Sequence, residues 1–174
     1  RHAVPTVEVR LLVDAGYASD SAEAAGLARL AADMMDEGTK TRSALDISSE
    51  LQRLGARLTT ASDLDTTVVS LSALVANLEP SLAVLADVVV NPSFPATDFG
   101  RLQKQQLAAI DQEAARPNTM AFRVLPRLLY GKGHAYANPL TGSGYKSTVG
   151  TLTRDAAARS LATCSAIRSS VGPR

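Results

Sequence analysis

Two short alternating runs on either side of a turn constrain this chain most. Residues 66–72 read Thr-Thr-Val-Val-Ser-Leu-Ser, β-branched and switching between apolar and polar positions. A period of two belongs to a strand with one buried face. Residues 56–61 form a second run, and Ser62-Asp63-Leu64-Asp65 between them favours a turn. Residues 56–61 and 66–73 are therefore predicted to pair as an antiparallel hairpin. A third run, Val7 to Val13, alternates at first and ends wholly apolar, as in a strand buried on one face and then on both.

Between and after these runs the period changes to that of a helix. Glu23 to Asp36 is Ala-rich, with Leu27, Leu30, Ala31 and Met34 at helical spacing. Ser19, Asp20 or Ser21 can cap it, and Gly38 ends it. Ser43 opens a second helix with Asp46 three residues on, the pattern of a capping box. Its expected apolar stripe is Leu45, Ile47, Leu51 and Leu54, and Gly55 stops it. Leu78 to Val90 is a third helix, closed by Asn91-Pro92. Pro95 to Ala115 is a longer one carrying Phe99, Leu102, Gln106 and Ile110, ended by Arg116-Pro117. Thr119 to Tyr130 follows, then a Gly-rich loop over residues 131–144, then a last helix beginning near Thr153. The order β-α-α-β-β-α-α-α is that of an α+β fold, so a mostly antiparallel sheet covered by helices is expected.

Composition narrows the function. At 174 residues, 45% hydrophobic and 20% charged, the chain has the balance of an ordinary globular protein. Aromatic residues are only 4% and tryptophan is absent, so Leu, Val and Ala must build the core. A formal net charge of +1 gives no reason to expect nucleic acid as a partner. Cys164 is the only cysteine, which excludes an internal disulfide. No apolar run reaches the roughly eighteen residues of a membrane span. Residues 1–6 do not resemble a signal peptide, and the chain opens without an initiator Met, as a piece of something longer would.

The stretch Gly26-Leu-Ala-Arg-Leu-Ala-Ala-Asp-Met-Met-Asp-Glu-Gly-Thr39 resembles the Gly-Leu-Ala-His-x-x-Glu-His-Met-x-x-x-Gly-Thr segment of the insulinase/pitrilysin family, which includes the mitochondrial processing peptidases. These are zinc peptidases with an inverted His-x-x-Glu-His motif on a helix. The resemblance continues in order over roughly residues 4–155. Gly38-Thr39-Lys40-Thr41-Arg42-Ser43 resembles the family's G-T-x-x-R-S/T turn, and Leu54-Gly55-Ala56 its L-G-A/G segment before the hairpin. Leu85 to Phe94, with Asp87 and Asn91-Pro92, is similar to L-x-D-x-x-x-N-P-x-F. Gly131 to Tyr136, with Asn138-Pro139 and Gly142, is similar to the family's G-x-x-H-P-Y-x-x-P-x-x-G loop.

The frame of the motif is present without its working residues. Arg29 and Asp33 stand at the two zinc-histidine positions, and Ala32 at that of the catalytic glutamate. The family's third ligand, a glutamate on the long helix, falls in Gln106-Leu-Ala-Ala-Ile110, where Ala108 and Ala109 occupy the candidate positions. Catalytic zinc needs about three His, Glu, Asp or Cys ligands and an open position for water. Arg29 instead brings a fixed positive charge, and at i, i+4 from Asp33 it is placed for a helix-surface ion pair.

Other candidates are weaker. His2 and His134 are the only histidines, and neither has a partner at ligand spacing. A relocated metal site would need His134 together with Asp33 or Asp36. His134 is more simply a loop histidine bonded to backbone, and no signature makes Cys164 a nucleophile. The glycines of residues 131–144 lack the spacing of a phosphate cradle. Residues 156–174 depart from the family, lacking its aromatic-rich segment and an evident closing strand, so they form an atypical tail.

The resemblance implies a fold in which two similar halves, fused or separate, close a chamber around an extended peptide. Zinc belongs to the catalytic half. This chain is then expected to be a zinc-less, non-catalytic domain, with no metal or cofactor of its own, that binds peptide and the catalytic half. The segment over residues 23–37 is the expected chamber-facing surface. A structural scaffold without peptide binding is the alternative. Bacterial family members of this kind are often exported, so a periplasmic location is the expectation.

Overall fold

A computed structural model of the chain describes residues 5–166, with side chains to residue 161. His2, the side chain of Cys164 and residues 167–174 lie outside the described residues. The elements follow in the order β1 (Thr6–Val13), α1 (Leu27–Asp33), α2 (Ala44–Leu54), β2 (Arg57–Ser62), β3 (Thr67–Leu74), α3 (Leu78–Val90), α4 (Ala96–Ala114), α5 (Pro117–Tyr130), α6 (Lys146–Val149) and α7 (Arg154–Ala166). This is the α+β order read from the sequence. Among the described residues the sheet has three antiparallel strands in the order β1-β3-β2, with β3 central. The hairpin register sets Ser62 opposite Thr67 and Leu58 opposite Leu71.

Packing follows the alternation. Val69, Leu71 and Ala73 of β3 point to one face, where Leu58 of β2, Ile47 and Leu51 of α2, and Val84, Leu85 and Val88 of α3 close over them. A second cluster gathers Leu30 and Ala31 of α1 and Met34 just after it with Phe99, Leu102 and Ile110 of α4 and Val149 of α6. Met35 joins the first cluster and Met34 the second, so the end of α1 is the hinge between the two halves of the core. Ala157 of α7 is fully buried, and the expected boundary near residue 155 falls inside this helix.

Three local expectations change. The helix expected over Glu23–Asp36 is regular only over Leu27–Asp33, because turns occupy residues 22–25 and Gly26 enters the helix left-handed at φ 100°. Leu45 does not join the α2 stripe: it is 78% exposed, while Ile47, Leu51 and Leu54 face the core. Nor is the end of β1 buried on both faces. Its alternation continues to Val13, and Leu12 stands 58% exposed.

The family-like turn after α1 is held by a compact strut. Asp87 Oδ2 accepts from Thr39 Oγ1 at 2.6 Å, Thr41 Oγ1 at 3.0 Å and Arg42 Nη1 at 2.7 Å, while Oδ1 accepts from Asn91 Nδ2 at 3.0 Å. Arg42 also donates to Glu50 at 2.9 Å. The Thr39 bond leads these contacts in holding the Asp87 carboxyl down at about 2. The capping box forms as read, with Ser43 N–H donating to Asp46 Oδ2 at 3.0 Å and Ser43 Oγ accepting from Asp46 N–H at 3.2 Å.

Candidate functional site

The start of α1 is fixed from two sides. Of the three candidate caps, Asp20 does the work: its carboxylate accepts the N–H groups of Gly26 and Ala28, each at 3.0 Å. Burial raises this carboxyl to about 6, even though the backbone N–H groups of Gly26, Ala28 and Leu27 pull it down. On the other side Gln106 Nε2 of α4 donates to Gly26 O at 3.0 Å and Ser143 O at 2.9 Å. A side chain at position 26 would collide with Gln106, Ser143 and Val149, so both the left-handed turn and the space require glycine there.

Behind α1 lies a buried polar network joining α4, α5 and the Gly-rich loop. Arg123 donates to Glu113 at 2.5 Å, to Ser143 Oγ at 2.6 Å and to Gly144 O at 2.7 Å. Ser143 and Thr141 hydroxyls also donate to Glu113, at 2.7 and 3.1 Å. Burying such an ion pair is tolerable because none of its fully buried polar atoms is left without a partner. Nothing in the sequence marked this pair. Gln106 falls at helical spacing with Phe99, Leu102 and Ile110, and an amide among such positions is the one sequence signal of its role.

In front of α1 opens a polar cleft of about 530 Å³. Arg29, Asp33, Asp36 and Glu37 line one wall, Leu58, Thr59 and Thr60 of β2 a second, and Arg101, Gln105, Gln106 and Ala109 of α4 a third. The cleft therefore runs along β2, an edge strand whose outer side pairs with no strand among the described residues. Arg29 Nε lies 4.0 Å from Asp33 Oδ2, the expected i, i+4 pair, and Arg29 Nη1 donates to Thr141 O at 3.0 Å. Glu37 pairs with Arg101 at 2.5 Å. Burial raises the carboxyl of Asp33, which Arg29 partly offsets. It also raises that of Asp36.

The structure brings three of the four motif positions to this cleft. Arg29, Asp33 and Ala109 line it, whereas Ala32 is fully buried and Ala108 is exposed outside it. Their donor set does not suit zinc. At the motif positions one carboxylate stands beside a guanidinium and a methyl group, so these positions offer a single ligand residue and a fixed positive charge, and of the neighbouring carboxylates Glu37 is taken by Arg101. Among the described residues no group of three His, Cys, Asp or Glu side chains is arranged to hold a metal ion. His134 does not reach Asp33 or Asp36. Its Nδ1 accepts Tyr136 N–H at 3.1 Å, and its ring stacks on Tyr130 with centroids 5.1 Å apart. What the cleft can do is hydrogen-bond: guanidiniums, carboxylates, amides and threonine hydroxyls border a strand edge.

Comparison with known proteins agrees with this geometry. A family model described as Insulinase (Peptidase family M16) matches residues 1–143. A crystal structure of a peptidase M16 inactive domain from Pseudomonas fluorescens superposes with a TM-score of 0.86 at 30% identity, over 93% of this chain and 39% of that one. A protease from Helicobacter pylori shares the fold, with a TM-score of 0.82 at 17% identity, over 90% of this chain and 37% of the other. Among curated sequences, an uncharacterized zinc protease of Rickettsia bellii is 24% identical over 87% of this chain and 36% of its own length. The mitochondrial-processing peptidase subunit beta of Rattus norvegicus is 30% identical over 56% of this chain and 20% of its own length. The chain thus spans well under half of the relatives it matches.

Proposed function

Because the chain belongs to the insulinase family of peptidases, M16, we propose that it is a non-catalytic domain of such a peptidase, holding an extended peptide beside a zinc-bearing catalytic half. The observation that carries this reading is the cleft along β2, where Arg29, Asp33 and Ala109 meet with one metal donor among them. An extended peptide would add to the free edge of β2 through backbone hydrogen bonds, and the polar side chains of α1 and α4 would meet its side chains. The likeness to a solved inactive M16 domain supports the non-catalytic part, and the polar edge strand supports the peptide-holding part.

The first test is zinc content by elemental analysis after dialysis against a weak chelator, followed by hydrogen exchange with an unstructured peptide added. The reading expects zinc near zero and slowed exchange of the β2 amides, residues 57–62. Near-zero zinc with unchanged β2 exchange would make the chain a scaffold. Zinc near one per chain would mean that a metal site forms elsewhere, and the reading would fail.

A further inference from the structure

Arg29, at a motif position of α1, is held in place from behind. Its Nη1 donates to Thr141 O at 3.0 Å. The Thr141 hydroxyl in turn donates to Glu113 Oε2 at 3.1 Å and lies 2.8 Å from Ser143 Oγ. Glu113 is fixed by Arg123 at 2.5 Å and by the Ser143 hydroxyl at 2.7 Å. Arg123 is the charged side chain that α5 turns inward, while Leu125, Leu128 and Leu129 face outward. A chain of hydrogen bonds thus runs from the buried ion pair behind α1, through Thr141, to a guanidinium in the wall of the cleft.

Either Arg29 pins the loop or the loop pins Arg29, and the packing decides. Residues 140–144 are secured without Arg29. Tyr17 Oη donates to Leu140 O at 2.8 Å, Gln106 Nε2 to Ser143 O at 2.9 Å, and Arg123 Nη2 to Gly144 O at 2.7 Å. Gly142 and Gly144 are left-handed, at φ 66° and 72°, and lie so close to the ring of Tyr17 and to Ala25 O that neither position has room for a side chain. Arg29, by contrast, is 36% exposed, and among the described residues its one charged partner is Asp33, at 4.0 Å. The loop is the fixed body, and it holds Arg29. A guanidinium held in advance loses less freedom when a ligand binds it.

Charge in the cleft points to the ligand. Its cations are Arg29 and Arg101. Arg101 is taken up by Glu37 at 2.5 Å and Asp98 at 3.3 Å, which leaves Arg29 as the cation with donors to spare. A planar guanidinium anchored through one nitrogen offers its remaining N–H groups best to a carboxylate, whose two oxygens match them. Asp33 is the internal competitor: at 4.0 Å it is too far for a close pair and near enough to repel a second carboxylate. Asp36 lines the same wall and opposes an anion in the same sense.

We propose that Thr141, clamped by Glu113, is a positioning residue for Arg29, and that Arg29 so placed selects extended peptides carrying an aspartate or glutamate side chain opposite α1. The substrate class rests on the functional reading above; the clamp on Arg29 does not. The probes are short fluorescein-labelled peptides that differ only at one central residue, Glu, Gln or Lys. Their Kd values for the intact protein are read by fluorescence anisotropy at low salt. Glu113→Gln would leave Arg123 buried without its counter-charge, so the clamp is tested at Thr141.

The Glu peptide is expected to bind about three- to fivefold more tightly than its Gln twin, the strength of a partly exposed charge pair, and added salt to erase the difference. Arg29→Ala is expected to remove the preference. Thr141→Val, which deletes the hydroxyl and keeps the carbonyl, is expected to lower it by about half or more, and Thr141→Ser to keep it. Asp33→Asn is expected to raise it. A merely structural role of Thr141 would shift the Glu and Gln peptides together and leave their ratio alone. A ratio equal in Thr141→Val and Thr141→Ser therefore overturns the proposal. Tightest binding of the Lys peptide also overturns it, since the cleft carboxylates would then set the preference. Binding of all the peptides without preference removes this proposal and keeps the functional reading; binding of none removes both.

Discussion

The strut around Asp87, which clasps the turn just after α1, and the open face of α1 are built in opposite ways. In the strut one carboxylate accepts from Thr39, Thr41, Arg42 and Asn91, and is held down at about 2. On α1, Asp33 meets one guanidinium at 4.0 Å, and burial pushes its carboxyl up. Both regions come from segments that resemble the M16 family. The strut residues serve the fold, so the family pattern persists there. The α1 face would serve zinc chemistry, and there the pattern is replaced by groups that contribute little to stability. The difference teaches that the side chains holding the frame are separate from those at the motif positions, so the motif positions can differ from the family pattern without disturbing the frame.

The comparison breaks most visibly at Asp87. Replacing it with alanine removes four hydrogen bonds at one point, one of them from a guanidinium. Arg42 keeps Glu50, which limits the damage. The expected loss is about 3 kcal/mol, a fall in Tm of roughly 6–12 °C for a domain of this size, read by thermal denaturation. A fall below about 1 kcal/mol would mean the strut is ornamental.

Restoring the motif on α1 comes next. The triple variant Arg29→His, Ala32→Glu, Asp33→His supplies the missing motif residues, yet Ala109 still offers no third ligand. Ala32 is fully buried, so a glutamate there begins without water or partner. We expect no bound zinc, no peptide hydrolysis and a loss of about 2 kcal/mol, measured by elemental analysis, a fluorogenic peptide and thermal melts. Hydrolysis by this variant would show that position 109 is not the place of the third ligand.

Acid sharpens the contrast because the two carboxylate types have opposite signs. Asp20 is raised to about 6 in the folded chain from an ordinary 3.8, so the folded state takes up its proton first. Its desolvation cost is present in full above pH 6 and is relieved as pH falls from there toward 3.8. Lowering pH from 7 to 5 is therefore expected to add about 1 kcal/mol, and Asp20→Asn to remove that gain. Asp87 works the other way: its contribution is complete above 3.8 and is lost as pH falls toward 2. A melting temperature that declines steadily from pH 7 to 5 would contradict the Asp20 assignment.

Much of the frame was legible in the sequence because it is written in local terms. The hairpin of β2 and β3 follows from period-two alternation around a polar turn, and the Ser43–Asp46 box from two residues three apart. What was not legible depends on residues far apart. Arg123 buried on α5 makes sense only beside Glu113 and Ser143, and the outward leucines of α5 look like core until that arginine fixes the helix. Leu45 failed for a similar reason, since helical spacing gives a stripe but not its edges. At the candidate site, the substitutions at positions 29, 32 and 33 were plain from the motif. The choice of Ala109 over Ala108 as the cleft-lining residue, and the presence of β2 along the cleft, required the packing of α1 against α4.

The smallest expected effect concerns Arg29 itself. Its side chain is 36% exposed, its Asp33 contact is at the limit of an ion pair, and its bond to Thr141 O is its one contact with the loop. Arg29→Ala should therefore cost no more than about 0.5–1 kcal/mol, an amount typical of an exposed pair with one added hydrogen bond. The same substitution removes one of the cations that face the cleft. A peptide with a carboxylate-bearing side chain at the cleft should bind several-fold more weakly to this variant, while a neutral peptide changes little, as measured by fluorescence anisotropy at low salt. A large loss of stability with no change in peptide selectivity would reverse the assignment, making Arg29 part of the frame and not of the binding surface.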